Sequence, residues 1–211
     1  MNNKKLIQFA QSFLFLPIIV TPVSFGNLPN SGTPIISTSQ IVLSQKLNIG
    51  VTDLMALNQV VDQKTKDLKA KADAIDAYLK EHDMPIEGLG EEMVLAAERN
   101  DLDWRLLPAI AVRESTGGKQ DCKNVDHNFF GWGSCHIGFK SDKEAIDTVA
   151  KNLGGNNPST ARHYADKDTK QILDTYNPPY VVRNYTKQVM HIMDTIDNYL
   201  VVTPDMNNNK A

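Results

Sequence analysis

The chain has 211 residues, 41% hydrophobic and 22% charged, with a formal net charge of −3 and two cysteines, Cys122 and Cys135. This composition sets aside disordered, collagen-like and coiled-coil-only chains, and the length suits one domain with appendages. With no polybasic run to neutralise phosphates, neither a nucleic-acid partner nor electrostatic membrane binding is expected.

At the N-terminus, Lys4 and Lys5 precede an uncharged stretch from Leu6 to Phe25 that contains the apolar run Phe13 to Val20. With the small residues Ser24 and Gly26 behind it, residues 1–26 read as a secretory signal cleaved after Gly26. The alternative is an uncleaved membrane anchor: the stretch is nearly long enough to span, although Pro17 and Pro22 make a regular helix through it costly. Both readings put the working part outside the cytoplasm, secreted or at the cell surface. Removing residues 1–26 removes Lys4, Lys5 and no acidic residue, taking the net charge from −3 to −5. Residues 27–50, rich in Pro, Ser, Thr, Asn and Gly, read as a linker.

Over residues 53–82, Leu54, Leu57, Val60, Val61, Leu68, Ile75, Tyr78 and Leu79 recur at helical spacing, with Thr52 or Asp53 as cap and Met84-Pro85 as stop. The domain plan assigns 51–84 to an accessory helix. Its apolar seam breaks around Lys64–Lys66, which favours packing on its own domain, and a monomer, over a dimeric coiled coil. Residues 85–202 form the main domain. A short helix is expected at Glu91–Arg99, then one from Trp104 to Ser115, capped by Asp101 or Asp103, apolar on most of its surface and stopped by Gly117-Gly118. Residues 119–140 lack helical periodicity. Ser141 and Glu144 form a capping box for a helix ending at Gly154-Gly155. Helices are expected at 158–165, 168–175 and 181–200, and a disordered tail at 203–211. The fold class is mostly α, a helical domain with a short irregular or β insertion, preceded by the long accessory helix.

Glu114 stands out, because a carboxylate near the end of the most apolar helix is costly unless exposed or kept protonated. An acid with a raised pKa beside a glycine-rich loop is what general-acid catalysis requires; the alternative is that Glu114 points to solvent on a frayed last turn. The segment Trp104 to Gly118 resembles the glutamate-bearing helix of the lysozyme-like superfamily. His127-Asn128-Phe129-Phe130-Gly131-Trp132-Gly133 is similar to the Asn-Asn-hydrophobe-Phe-Gly motif of bacterial endo-β-N-acetylglucosaminidase domains that cut peptidoglycan. Phe139 with Ser141, Glu144, Ala145 and Ile146, and then Tyr176, Asn177, Pro178, Pro179, Asn184, Tyr185 and Val189, resemble two further segments of that family. Four pieces in order cover about residues 90–200.

The resemblance implies a lysozyme-like glucosaminidase domain needing no cofactor, with Glu114 as general acid and Tyr185 near the sugar cleft. The alternative for Tyr185 is a packed aromatic on the last helix. Asn128, Phe129, Phe130, Gly131, Trp132 and Tyr176 are expected to line the cleft and contact the glycan, or else to plug a turn. The sequence departs from the family in having His127 where Asn is usual, and in offering no matched second carboxylate. Asp126 is the candidate for that role, and otherwise a turn residue. Without one, assistance by the substrate acetamido group or anhydro-forming transglycosylase chemistry remains open.

In an exported chain Cys122 and Cys135 are expected to form a disulfide, stabilising by about 3 kcal/mol through closure of a short loop. The competing metal site from Cys122, His127, Cys135 and His136 has a spacing that matches no zinc motif, so no metal is expected. The expected function is peptidoglycan cleavage, with a non-catalytic wall-binding or adhesin module as the alternative.

Overall fold

The computed structural model describes residues 51–200, and the expected signal, linker and tail at 1–26, 27–50 and 203–211 lie outside the described residues. The first helix, α1 (Val51–Glu81), runs for 31 residues without glycine or proline. Lys69–Asp73 and Asp67–Lys71 ion pairs at four-residue spacing brace its exposed side. Its C-terminal half enters the core through Ala72, Ile75, Tyr78 and Leu79, whereas Leu57, Val60 and Val61 in the N-terminal half are exposed. The helix therefore packs on its own domain, and residues 51–200 belong to one compact unit without a break at residue 84. It ends three residues before Met84, where Asp83 takes a positive φ of 50° and Met84 N–H bonds the Leu79 carbonyl.

The next helix, α2 (Gly90–Arg99), lacks a capping side chain of its own. Its cap comes from α1, where Asp76 Oδ1 accepts hydrogen bonds from the N–H groups of Gly88 and Gly90, both at 2.9 Å. The two helices touch there. A Cβ on Gly90 would lie 2.5 Å from the Ala72 carbonyl oxygen and 2.9 Å from the Asp76 carboxyl. Gly90→Ala is expected to destabilise the domain by about 1–3 kcal/mol, through forced separation of α1 and α2. A denaturant-unfolding midpoint no lower than that of the parent would show that the crossing can relax.

Helix α3 (Leu106–Ser115) starts after Asp103, whose Oδ1 accepts from Arg105 N–H at 3.0 Å. Leu106, Leu107, Ala109, Ile110 and Ala111 are fully buried, so the all-round apolar pattern is that of the central helix. Thr116, rather than a glycine, takes the left-handed position that ends it, and Gly117 N–H returns to the Ala111 carbonyl. Residues 119–140 form an irregular insertion with one 3-10 turn, Trp132–Cys135, and no strand occurs among the described residues. Of the two forms expected there, irregular or β, the irregular one is found and the β one is absent among the described residues. Its place is taken by left-handed backbone at His127, Gly131, Gly133, Ser134 and Cys135, which cannot form a ladder.

Helix α4 (Asp142–Leu153) is capped by Ser141 Oγ, which accepts from Glu144 N–H at 3.2 Å. Glu144 reaches back to Lys140 N–H, one residue beyond the reciprocal bond of a capping box. A single turn, α5 (Ala161–Tyr164), leads to α6 (Thr169–Tyr176), where Asp168 and Gln171 make a complete capping box. The last helix, α7 (Tyr185–Asp197), begins four residues later than expected. Pro178 and Pro179 start a turn in which the Pro178 carbonyl accepts from Val181 and Val182 N–H, and Asn184 stands in left-handed conformation at the helix entrance. The architecture is mostly α: α7 lies along α3, α2 bridges α1, α3 and α4, and α6 packs on α7.

Candidate active site

The packing of α7 on α3 brings the last turn of one helix to the first residue of the other. Glu114, on that last turn, accepts a hydrogen bond through Oε1 from the Tyr185 hydroxyl at 2.5 Å. Burial pushes the Glu114 carboxyl above the usual carboxylate range, and the Tyr185 hydroxyl and neighbouring Arg113 offset part of that rise. Tyr185 is only 1% exposed. Its burial, then the Glu114 charge, push the phenol far above its ordinary pKa, so it remains a donor. With Oε1 engaged, a proton on the carboxyl sits on Oε2. That oxygen faces Gly131, where an added Cβ would come within 3.4 Å. Gly131 has φ 65°, a conformation that also favours glycine. One residue thus supplies both the turn and the space.

Aromatic rings continue from Tyr185 along one side of the carboxyl. Tyr176, at the end of α6, stacks on Tyr185 with centroids 6.0 Å apart and planes inclined by 15°. Trp132, from the insertion, follows at 5.9 Å from Tyr176. The Tyr176 hydroxyl donates to the Phe130 carbonyl at 2.6 Å, tying α6 to the insertion. The Arg113 guanidinium lies over the Tyr185 ring, 5.5 Å from its centroid, and donates from Nε to Gln188 Oε1. Arg113 and Gln188 escaped the sequence reading because they are 75 residues apart and meet only through α3–α7 packing.

The glycine-aromatic segment divides into two kinds of residue. Gly131 and Trp132 are half-buried, Gly131 beside Glu114 Oε2 and Trp132 against Tyr176. Asn128, Phe129 and Phe130 are all buried in the core, so the expectation that they contact the glycan is corrected. Phe129 and Phe130 pack as a pair with centroids 4.5 Å apart, the plug-like alternative. Asn128 is a clamp: its Oδ1 accepts from Trp132 N–H, and its Nδ2 donates to the Trp132 and Ile137 carbonyls, all at 2.8–2.9 Å. Asn128→Ala leaves three backbone groups without those partners and is expected to cost about 1–3 kcal/mol. Trp132 fluorescence in this variant should shift toward that of a solvated indole, whereas an unchanged spectrum would remove Asn128 as the support of the wall.

Cys122 and Cys135 form the expected disulfide, with Cα atoms 5.5 Å apart, and it closes the segment carrying the wall. Neither thiol is left for a metal site, and His127 pairs with Asp142 at 2.7 Å instead. Asp126 is exposed on the insertion and is held through its backbone carbonyl, which accepts from Phe139 N–H. Glu114 and Tyr185 are hydrogen-bonded to each other, and no hydrogen bond joins the Asp126 carboxyl to either among the described residues. No family model, no curated protein and no solved structure matches this chain.

Proposed function

We propose that the chain is an exported glycoside-cleaving enzyme with a lysozyme-like domain of the endo-β-N-acetylglucosaminidase type, acting on the glycan strands of peptidoglycan. The observation that carries this reading is the Glu114 carboxyl, held by Tyr185 at the end of a buried helix with its second oxygen open toward Gly131. Burial keeps a fraction of the carboxyl protonated where ordinary carboxylates are ionised, as a general acid requires. In the proposed step the Oε2 proton passes to the glycosidic oxygen as the bond between that oxygen and the anomeric carbon breaks. Positive charge then develops on the sugar ring beside the Glu114 carboxylate. Water then adds to the anomeric carbon, or the substrate's acetamido oxygen closes on it to an oxazolinium ring that water opens, and either way the product is hydrated. Attack by the sugar's own 6-hydroxyl gives an anhydro-sugar instead. In each case the proton released by the attacking O–H returns to the Glu114 carboxylate. The Trp132 and Tyr176 rings offer apolar faces on which a sugar stacks.

No second carboxylate is hydrogen-bonded to Glu114 or Tyr185 among the described residues, which suits the two routes in which the substrate supplies the nucleophile. The same observation supports the alternative of a wall-binding module without turnover. Purified sacculi separate these readings. Loss of turbidity with the parent protein, and not with Glu114→Gln, supports catalysis. Co-sedimentation without clearing by either protein supports the binding module.

A further inference from the structure

Helices α6 and α7 leave a groove of about 550 Å3 between their outward sides, within the usual size of ligand sites. It adjoins the Glu114 site through one residue, because Tyr185 lines the groove and also bonds Glu114 through its hydroxyl. The core-facing side of α7 carries Val189, Met193 and Ile196. The groove takes a different stripe, Lys187, Met190, His191 and Asp194, at helical spacing.

The charges along that stripe are unevenly satisfied. On the α6 side Asp174 is occupied, accepting from Lys170 at 2.7 Å and from the Thr186 hydroxyl. Lys187 and Asp194 make no ion pair among the described residues, although Asp194 adds to the acidic surroundings of Arg105. Seven residues of helix separate them, about 10 Å along the axis. Between them lies Met190, an adaptable apolar side chain that is 42% exposed. About 10 Å is also the reach of three extended residues. The groove thus presents a cation at one end, an anion at the other and an apolar floor. It offers no open tyrosine or tryptophan face for a sugar, since Tyr185 is buried.

We infer that the groove between α6 and α7 is a second binding site, for a short peptide carrying a carboxylate and an amine within a span of about 10 Å, as the peptide branches of a peptidoglycan strand do. This rests on the proposed glycan-cleaving function. Carboxylates lie at Lys187 and His191, the amine at Asp194, and the branch holds its parent strand across the Glu114 site.

The test compares peptide-bearing glycan strands with the same strands stripped of peptides by an amidase. The parent protein is expected to show a KM roughly three- to tenfold lower on the peptide-bearing strands, with similar kcat. Lys187→Glu and Asp194→Lys, each with an unchanged thermal midpoint, should raise KM on those strands alone. Equal KM on both strands with the parent protein, or variants that change both alike, would overturn the assignment. If neither strand is cut, the glycan-cleaving reading fails, and titration of the full chain with a synthetic tripeptide of alanine, glutamate and lysine decides the groove independently. Movement of the His191 ring resonances, lost in Asp194→Lys, supports the site. Resonances that stay fixed up to millimolar peptide overturn it.

Discussion

Glu114→Gln is expected to lower glycan-cleaving activity by about 10²–10⁴-fold while making the protein more stable at neutral pH. The loss follows from removing the carboxyl proton that the proposed mechanism passes to the leaving oxygen. The gain follows from the same burial that suits the carboxyl to its task. Because its folded-state pKa lies above the ordinary carboxylate value, the folded chain holds the Glu114 proton more tightly than the unfolded chain does. As pH rises through the interval between those two values, stability is lost, and the deficit is complete above it. Glutamine keeps the acceptor for Tyr185 and carries no charge to bury. The thermal midpoint of Glu114→Gln should therefore exceed that of the parent at pH 7, with the difference closing once pH falls below the ordinary carboxylate pKa. A variant that is inactive and less stable at pH 7 would mean that Glu114 holds the fold together, and its lost activity would carry no weight for catalysis.

Tyr185→Phe separates a positioning role from a packing one. The ring fills the same buried space, so its stack with Tyr176 and its contact with Arg113 survive. The hydroxyl's hydrogen bond stabilises the charged form of Glu114, and removing it leaves burial less opposed, so the carboxyl pKa rises further. The alkaline limb of the pH–rate profile, set by the acid's ionisation, should move to higher pH. At the same time kcat should fall about tenfold, because the proton is no longer confined to Oε2 and one hydrogen bond of about 1.4 kcal/mol is lost. If activity drops with the limb unmoved, Tyr185 contributes packing alone.

The helical skeleton was legible because its signals are local. Ser141 four residues before Ala145, Gly117 after an apolar run, and the spacing of Val189, Met193 and Ile196 each report on their own turn. The missed cap of α2 has the opposite character: Asp76 supplies it from another helix, and no local pattern reveals such a partner. The late start of α7 was hidden because Val181 and Val182 fit a helical pattern while the preceding prolines held them in a turn.

The candidate site divides along the same line. Glu114 was legible because charge at the end of an apolar helix is anomalous within ten residues. The resemblance placed Tyr185 only near the sugar cleft, and its pairing with Glu114, 71 residues away, is made by α3–α7 packing. Phe129 and Phe130 read as cleft residues because a glycine-aromatic run looks alike whether its rings face a ligand or the core. Left-handed backbone at His127 and Gly131 helps to separate their fates, with Phe129 and Phe130 buried and Trp132 half-exposed. Alternation of side chains cannot be counted through such turns.

The central claim, that Glu114 breaks a glycosidic bond, is tested most directly by mass spectrometry of fragments released from purified peptidoglycan. The account predicts soluble fragments with new glycan ends, bearing either N-acetylglucosamine at the reducing terminus or an anhydro-sugar, from the parent protein and not from Glu114→Gln. Fragments released equally by both proteins, or no new glycan ends from the parent, would contradict it.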